Sequence, residues 1–342
     1  SRGLGDVYKR QSVYLVSLPS PMATLSLEAL PLHDAATQSL SYFRRDALIH
    51  TGSLIAANAR FVCYAIKGNG IIRAIHRPSE SLCLLRGHSK EVVDMKLVGS
   101  TEFTNTHHDL LASVANDQTV IIWRLSYDGA EVKQEQTLTF DSPFKTPVGG
   151  FDRIALRAPT DALASMAVAA LGGDRLCFWS LDGSVGGQLT SHGCCEIANE
   201  IENGGMEGQR RIISCMAFAE APHTHFAAGF TDGTVFTTSE ATFEALGSVE
   251  APSVLSGSTF VAHAAGKRDP PLDGVSLVSF FRRGGDKPRL LTCGSGNWEV
   301  KIWSDESAGG FKEVQALSMP ASTPNLRATP LLATYAGRPL TT

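Results

Sequence analysis

The sequence holds 342 residues, 43% of them hydrophobic, with 30 Lys and Arg against 34 Asp and Glu and a net charge of −4. That near-balance supplies no general attraction to nucleic acid or an anionic membrane, and no apolar run reaches the roughly 18 residues of a spanning helix. Seven cysteines without a C-x-x-C pair argue against a zinc ribbon, a thioredoxin-like site or a secreted disulfide framework, and fit a reducing compartment.

The chain opens Ser1-Arg2-Gly3-Leu4-Gly5-Asp6-Val7-Tyr8-Lys9-Arg10-Gln11, a string that reads as a translated library adapter. Residues 1–21 are therefore expected to be an artefactual or disordered leader, and Met22 a natural start. Residues 22–47 form a flanking segment, in which Ser26 to Phe43 carries the chain's one helical signal. From residue 48 to 342 the apolar runs are short, rich in Val, Ile, Phe and Thr, and separated by Gly, Asp, Asn, Ser and Pro. That is the pattern of many short strands.

The runs repeat. The first copy reads Leu54 to Ala57, Phe61 to Ile66 and Ile71 to Ile75. The second opens at Gly87-His88 and continues through Val92 to Leu97, Leu110 to Asp117 and Thr119 to Trp123. The third runs Arg153 to Leu156, Met166 to Ala170, Asp174, then Leu176 to Trp179. The fourth runs Ile212 to Phe218, Phe226 to Gly229, Asp232-Gly233, then Thr234 to Thr237, with Thr237 in place of Trp. The fifth carries His263, Val275 to Phe280, Leu290 to Cys293 with Thr292, Asn297 near the carboxylate position, and Val300 to Trp303. Leu331 to Tyr335 reads as the start of a sixth.

The second copy has His88, Ser113, Asp117 and Trp123 at the spacings of a WD-repeat unit, in which these four groups form one buried hydrogen-bond chain. The repeat length, roughly 55 to 70 residues, exceeds the usual ~40–45 through long loops. The fold expected is all-β: a WD-repeat β-propeller of about five blades plus the start of a sixth. Such a propeller is truncated at its C-terminus and would leave apolar faces unpartnered on its first and last blades. Trp179, His263, Thr292 and Trp303 are the further blade-anchoring residues.

Ser113, His88 and Asp117 have the residue types of a hydrolytic triad, but the repeat already explains their spacing. No G-x-S-x-G, G-x-x-x-x-G-K-[ST] or H-E-x-x-H string occurs. No catalytic, cofactor-binding or metal residue is assigned, and no cofactor is expected. His107-His108-Asp109 and the pair His223 and His225 read as solvated loops rather than metal sites. Arg44-Arg45, Lys267-Arg268 and Arg282-Arg283, the last beside Phe280-Phe281, give weak support for RNA binding.

The strings Ala56-Ala57-Asn58, Phe61-Val62-Cys63-Tyr64-Ala65-Ile66 and Gly70-Ile71-Ile72-Arg73-Ala74-Ile75 resemble the first blade of the enhancer of mRNA-decapping scaffolds, the Hedls/Varicose type. Leu85-Arg86-Gly87-His88 with Val92-Val93-Asp94-Met95, and Leu111 to Leu125, are similar to that family's second blade, and Arg289 to Trp303 resembles a later one. The resemblance implies a non-catalytic scaffold in mRNA decapping and decay. It implies a cytoplasmic location in processing bodies and protein partners, the decapping enzyme and its activators, with no membrane role. The alternative reading is a generic WD-repeat interaction adaptor in another cytoplasmic pathway.

Overall fold

Apolar runs broken by Gly, Asp and Asn turns form β-strands along the chain. The structure is a computed structural model that describes residues 52–66, 68–99, 108–141, 151–157, 165–170, 174–181, 189–197, 212–219, 225–239, 253–263, 274–281, 288–294, 299–306 and 310–318. Among these no helix is present, and none is long and apolar enough to cross a membrane. The leader at 1–21, the flanking segment at 22–47 and the start of a sixth repeat at 331–335 lie outside the described residues.

Five sheets form in chain order among the described residues. Blade 1 is β1 (Ile55–Ala57), β2 (Phe61–Ile66), β3 (Ile71–His76) and β4 (Leu82–Arg86). Blade 2 is β5 (Val92–Val98), β6 (Asp109–Ala115), β7 (Thr119–Tyr127) and β8 (Val132–Asp141). Blade 3 is β9 (Arg153–Arg157), β10 (Ser165–Ala170), β11 (Arg175–Leu181) and β12 (Leu189–Ile197). Blade 4 begins with β13 (Ile213–Phe218), β14 (His225–Phe230) and β15 (Thr234–Ser239). The chain then crosses to blade 3, where β16 (Ser253–Leu255) pairs in parallel with β12, and returns through Ser256 and Gly257 as β17 (Ser258–Val261), the fourth strand of blade 4. Blade 5 is β18 (Val275–Phe281), β19 (Arg289–Gly294), β20 (Glu299–Glu306) and β21 (Gly310–Ser318). Consecutive strands within each blade run antiparallel.

The two-residue period of a strand decides how the blades stack. In blade 2, Leu111, Ala115, Ile121, Trp123 and Leu125 pack on Phe61, Cys63, Ile72, Ala74 and Leu85 of blade 1. The intervening Ala112, Val114, Val120 and Ile122 pack on Ile154, Leu156, Ala167, Ala169 and Trp179 of blade 3. Blade 3 turns Val168, Leu176 and Phe178 toward Phe226, Phe230 and Phe236 of blade 4. Blade 4 turns Ala227 and Val235 toward Val278, Phe280, Leu290 and Trp303 of blade 5. Four apolar clusters thus fill the four junctions between five blades.

The first strands lie together at the hub, β1 on β5, β5 on β9, β9 on β13 and β13 on β18. Among the described residues, packing of this extent does not join blade 5 back to blade 1. The end faces are nonetheless less bare than the sequence suggests. Val62 and Tyr64 on blade 1 are 7% and 5% exposed, and Cys293 and Ile302 on blade 5 are 2% and 5% exposed. Arg73 accounts for part of this: its guanidinium lies 5.6 Å over the Tyr64 ring and donates to the Tyr64 hydroxyl at 2.9 Å.

Polar groups tie the hub strands to one another. Asp94 Oδ1 accepts from the backbone N–H of Ser53 at 2.7 Å and of Met95 at 3.0 Å, while Oδ2 accepts from Ile154 N–H at 2.9 Å. One buried carboxylate therefore links blades 1, 2 and 3. Arg153 Nε donates to the Ser214 carbonyl at 2.7 Å, and the Ser214 hydroxyl faces the carbonyls of Gly229 and Val275, carrying the chain to blade 5. A bulge recurs at one position of the first strand in blades 2, 4 and 5, between Val92 and Asp94, Ile213 and Cys215, and Val275 and Leu277. Bulges bend the strand and re-aim its groups. Here the extra residue in blade 4 is Ser214, which spans the junction.

Asp152 precedes β9 beside this chain. Burial pushes its carboxyl up to about 6 against the pull of Arg153, and the nearby Asp94 charge adds to the rise. A carboxyl that holds its proton more tightly when folded contributes stability below its ordinary 3.8 that is lost as pH rises through about 6. Asp152→Asn, which cannot ionise, is expected to gain about 1–3 kcal/mol on the wild type between about pH 4 and about pH 7. Urea midpoints measured across that range check this, and parallel curves for the two proteins would contradict it.

Candidate functional site

The residues with the types of a catalytic triad lie at the junction of blades 1 and 2. His88 sits in the loop between β4 and β5, Ser113 on β6, Asp117 in the turn between β6 and β7, and Trp123 on β7. The Trp123 indole N–H donates to Ser113 Oγ at 2.9 Å, and Ser113 Oγ lies 2.8 Å from His88 Nε2. His88 Nδ1 lies 3.0 Å from Thr119 Oγ1 and 3.4 Å from Asp117 Oδ1. An indole can only donate, so the serine hydroxyl accepts from it and passes its own proton toward His88 Nε2. His88 then carries its proton on Nδ1, facing Thr119 and the carboxylate. The chain runs in one direction from Trp123 to Asp117.

Asp117 closes it. Its carboxylate accepts from Ser89 N–H at 2.7 Å, Thr119 N–H at 3.1 Å and the Thr119 hydroxyl at 2.7 Å. Burial alone would raise this carboxyl, but the hydrogen bonds from His88, Thr119 and Ser89 outweigh it and hold it well below the usual carboxylate range. Gly70, in the turn between β2 and β3, fixes the approach of blade 1 to the His88 loop. It has φ of 63°, and a Cβ there would stand 2.5 Å from the carbonyls of His88 and Lys90. Chemically the set is a fastener. Ser113 has no exposed surface and its oxygen is enclosed by its partners, so no substrate carbonyl reaches it.

Blade 5 repeats the chain with different residues. Trp303 donates to Thr292 Oγ1 at 2.9 Å, and that oxygen lies 2.8 Å from His263 Nε2. The carboxylate is Glu299, 3.3 Å from His263 Nδ1, and the sequence reading missed it. Glu299 stands at the position of Thr119, two residues before the strand residue paired with Thr292. Asn297, the residue expected near the carboxylate position, lies outside the described residues. Burial lowers the His263 ring below its ordinary 6.5 and Glu299 opposes the fall, so the ring is held neutral, as the chain requires. Lys301 bridges Glu299 and Glu313 at 3.5 and 3.1 Å and lies 5.8 Å over the Trp303 ring.

Blades 3 and 4 keep fewer parts. Trp179 occupies on β11 the place of Trp123, but Ala169 stands where Ser113 would, so the indole is held by rings instead. Phe140 of blade 2 stacks on it at 4.6 Å and Phe151 meets its edge at 5.6 Å. Asp174 lies in the turn before β11. In blade 4 the residue in place of Trp is Thr238, not Thr237. Asp232 accepts from the N–H and hydroxyl of Thr234 as Asp117 does from Thr119, and this turn fixes the register. Thr238 then pairs with Phe226 and donates to the Ser256 carbonyl at 2.8 Å, while Thr237 belongs to the opposite face.

The loop readings divide. Asp109 is not a solvated loop residue: it starts β6, has no exposed surface and accepts from Arg60 at 2.8 Å. His108 and His225 are partly buried, and His225 packs beside Phe280 and Phe311. Phe280 is core, 5% exposed. His107, His223 and the basic pairs at 44–45, 267–268 and 282–283 lie outside the described residues. Among the described residues no group of three His, Cys, Asp or Glu is placed to hold a metal ion.

Four-stranded blades around a hub, fastened by a His–Ser–Asp–Trp chain, define a WD-repeat β-propeller. The chain belongs to the family described as the WD40 region of Ge1, enhancer of mRNA-decapping protein, whose model matches residues 38–235, more than half of its length. Among solved structures it is similar to the computationally designed Ika8 protein, at 15% identity and a TM-score of 0.43 over 78% of this chain and 61% of that one. It is also similar to U3-55K, at 14% identity and 0.49 over 77% and 66%. A third is the β-propeller domain of Myceliophteria thermophila Cps50 (Swd1), at 13% identity and 0.46 over 78% and 71%. No curated protein matches the chain.

Trp123→Ala is expected to cost about 3–5 kcal/mol, as for other large buried aromatics. Thr238→Ala, which removes one hydrogen-bonded hydroxyl, is expected to cost about 1 kcal/mol. Denaturant melts rank the two; equal losses would contradict the assignment of the fastener to blade 2.

Proposed function

We propose that this propeller is the binding platform of a non-catalytic scaffold in mRNA decapping and decay, of the Hedls/Varicose type. It recruits the decapping enzyme and its activators in processing bodies of the cytoplasm. The family match over residues 38–235 carries this reading. The site chemistry agrees with it, because the residue set that resembles a triad is consumed in holding blades 1 and 2 together. A propeller whose polar side chains are engaged inside offers partners its rims and strand edges. RNA contact is a lesser element of the reading and rests on the sequence pairs Arg44-Arg45, Lys267-Arg268 and Arg282-Arg283.

Affinity capture of the tagged full chain from cell extract tests it. Recovery of the decapping enzyme or its activators, persisting after ribonuclease treatment, is the expected result. Recovery of a different assembly without any decapping factor would overturn it and favour a WD-repeat adaptor of another pathway.

A further inference from the structure

Cys177 on β11 and Cys194 on β12 stand directly opposite each other in an antiparallel pair. Among the described residues they are the one cysteine pair in register across adjacent strands. The kind of position follows from the ladder. Ile197 N–H donates to the Asp174 carbonyl at 3.0 Å, so that opposed pair exchanges hydrogen bonds. Counting along the unbroken register through Arg175 with Glu196 and Leu176 with Cys195, Cys177 and Cys194 fall at a non-hydrogen-bonded pair. The nearest irregularity lies beyond them, at Ser180 and Leu181. Opposed Cα atoms at such pairs approach to about 4.5 Å, within the ~4.4–6.8 Å that a disulfide spans.

Both side chains point to the same face. Cys177 belongs to the core between blades 2 and 3, and Cys194 packs against that core at its half-buried margin. Cys195 points the other way, into the core between blades 3 and 4. The neighbouring Cys177 thiol draws Cys194 below its ordinary value against the effect of burial, while Cys194 and burial push Cys177 up. By contrast Cys63 and Cys83 share the neighbour Ala74, and two strand spacings, roughly 9–10 Å, separate them.

We propose that Cys177 and Cys194 form an oxidisable dithiol that closes to a cross-strand disulfide when the protein meets a low-molecular-weight disulfide. The Cys194 thiolate attacks one sulfur of that disulfide, and the other sulfur leaves as a thiolate. Cys177 then gives up its proton and attacks the Cys194 sulfur, releasing the second small thiol. Two protein thiols lose two electrons, the small disulfide gains them, and the two protons end on the released thiols. Closure pins β12 to β11 at the margin of the junction that holds Trp179. Half-burial gives Cys194 the access that attack requires, and Cys177 is placed to resolve the adduct rather than to form one.

The test is incubation of the whole chain with glutathione disulfide under native conditions, alkylation of the remaining thiols and mass mapping. A protease that cuts after Phe178 and Trp179 separates Cys177 from Cys194. The expected result is a Cys177–Cys194 crosslink formed ahead of any other, retained in Cys195→Ser and lost in Cys194→Ser. Cys177→Ser is expected to trap Cys194 as a stable glutathione adduct. In the wild type, an accumulating adduct on Cys194, a Cys194–Cys195 bond, or loss of thiols only at the pace seen in denaturant would each overturn the proposal. The wild-type map decides even if a variant fails to fold.

Discussion

The structure depends on one constraint: the inner blades carry apolar side chains on both faces, so each must be covered from both sides. Blade 2 shows it most plainly. Ile121 and Trp123 enter one core and Val120 and Ile122 the other, along a single strand. A sheet with only one such face could be covered by a helix and stand alone. With two, the sheets stack and the stack grows by repetition. The Trp of blades 2, 3 and 5 faces the preceding blade each time, so the junctions are filled in a consistent direction. Polar groups at the hub reinforce the order: Asp94 links blades 1, 2 and 3, and Ser214 links blades 3, 4 and 5.

The arrangement limits what its buried polar side chains can do. Among the described residues a hydroxyl, a histidine and a carboxylate meet an indole twice, at Ser113 in blade 2 and at Thr292 in blade 5, and both times the hydroxyl is spent on the indole and the histidine. Burial that makes these groups valuable for stability removes them from substrates. What stays available is the periphery. One outer edge is already taken: β16 pairs with β12, so the chain itself covers the rim of blade 3. Among the described residues, Leu82, Val254, Val261 and Val314, the exposed large apolar residues on strands, all lie on the outermost strand of a blade. The binding platform proposed above uses such edges and rims and calls for no reactive group.

Much of this was legible in the sequence, because strand period and turn chemistry are local. The repeats, the positions of Trp123, Trp179 and Trp303, and the grouping of His88 with Ser113 and Asp117 follow from spacing alone. The misreadings share a cause: small changes in turn length alter which residue faces where. In blade 4 counting from the strand run selects Thr237, whereas the turn anchored by Asp232 sets the face and selects Thr238. In blade 5 Trp303 follows Thr292 by one residue more than Trp123 follows Ser113, and Glu299 supplies the carboxylate. Asp109 looked solvated beside two histidines because its partner Arg60 is 49 residues away. The excursion of β16 into blade 3 and the reach of Asp94 across the hub carry no local signal, since both are contacts between segments distant in sequence.

The central claim is that His88, Ser113 and Trp123 act as one cooperative fastener. A double-mutant cycle tests it most directly, with His88→Ala, Trp123→Phe and the pair compared by equilibrium unfolding. Phe keeps an aromatic ring in the core and removes the donor that starts the chain, and the cycle cancels the volume lost with the indole because both arms carry it. Groups in one hydrogen-bond network couple by about 0.5–3 kcal/mol, and the account predicts a coupling in that range, the second change costing less once the first is made. Additivity within about 0.3 kcal/mol would show that the two residues act independently and would contradict it.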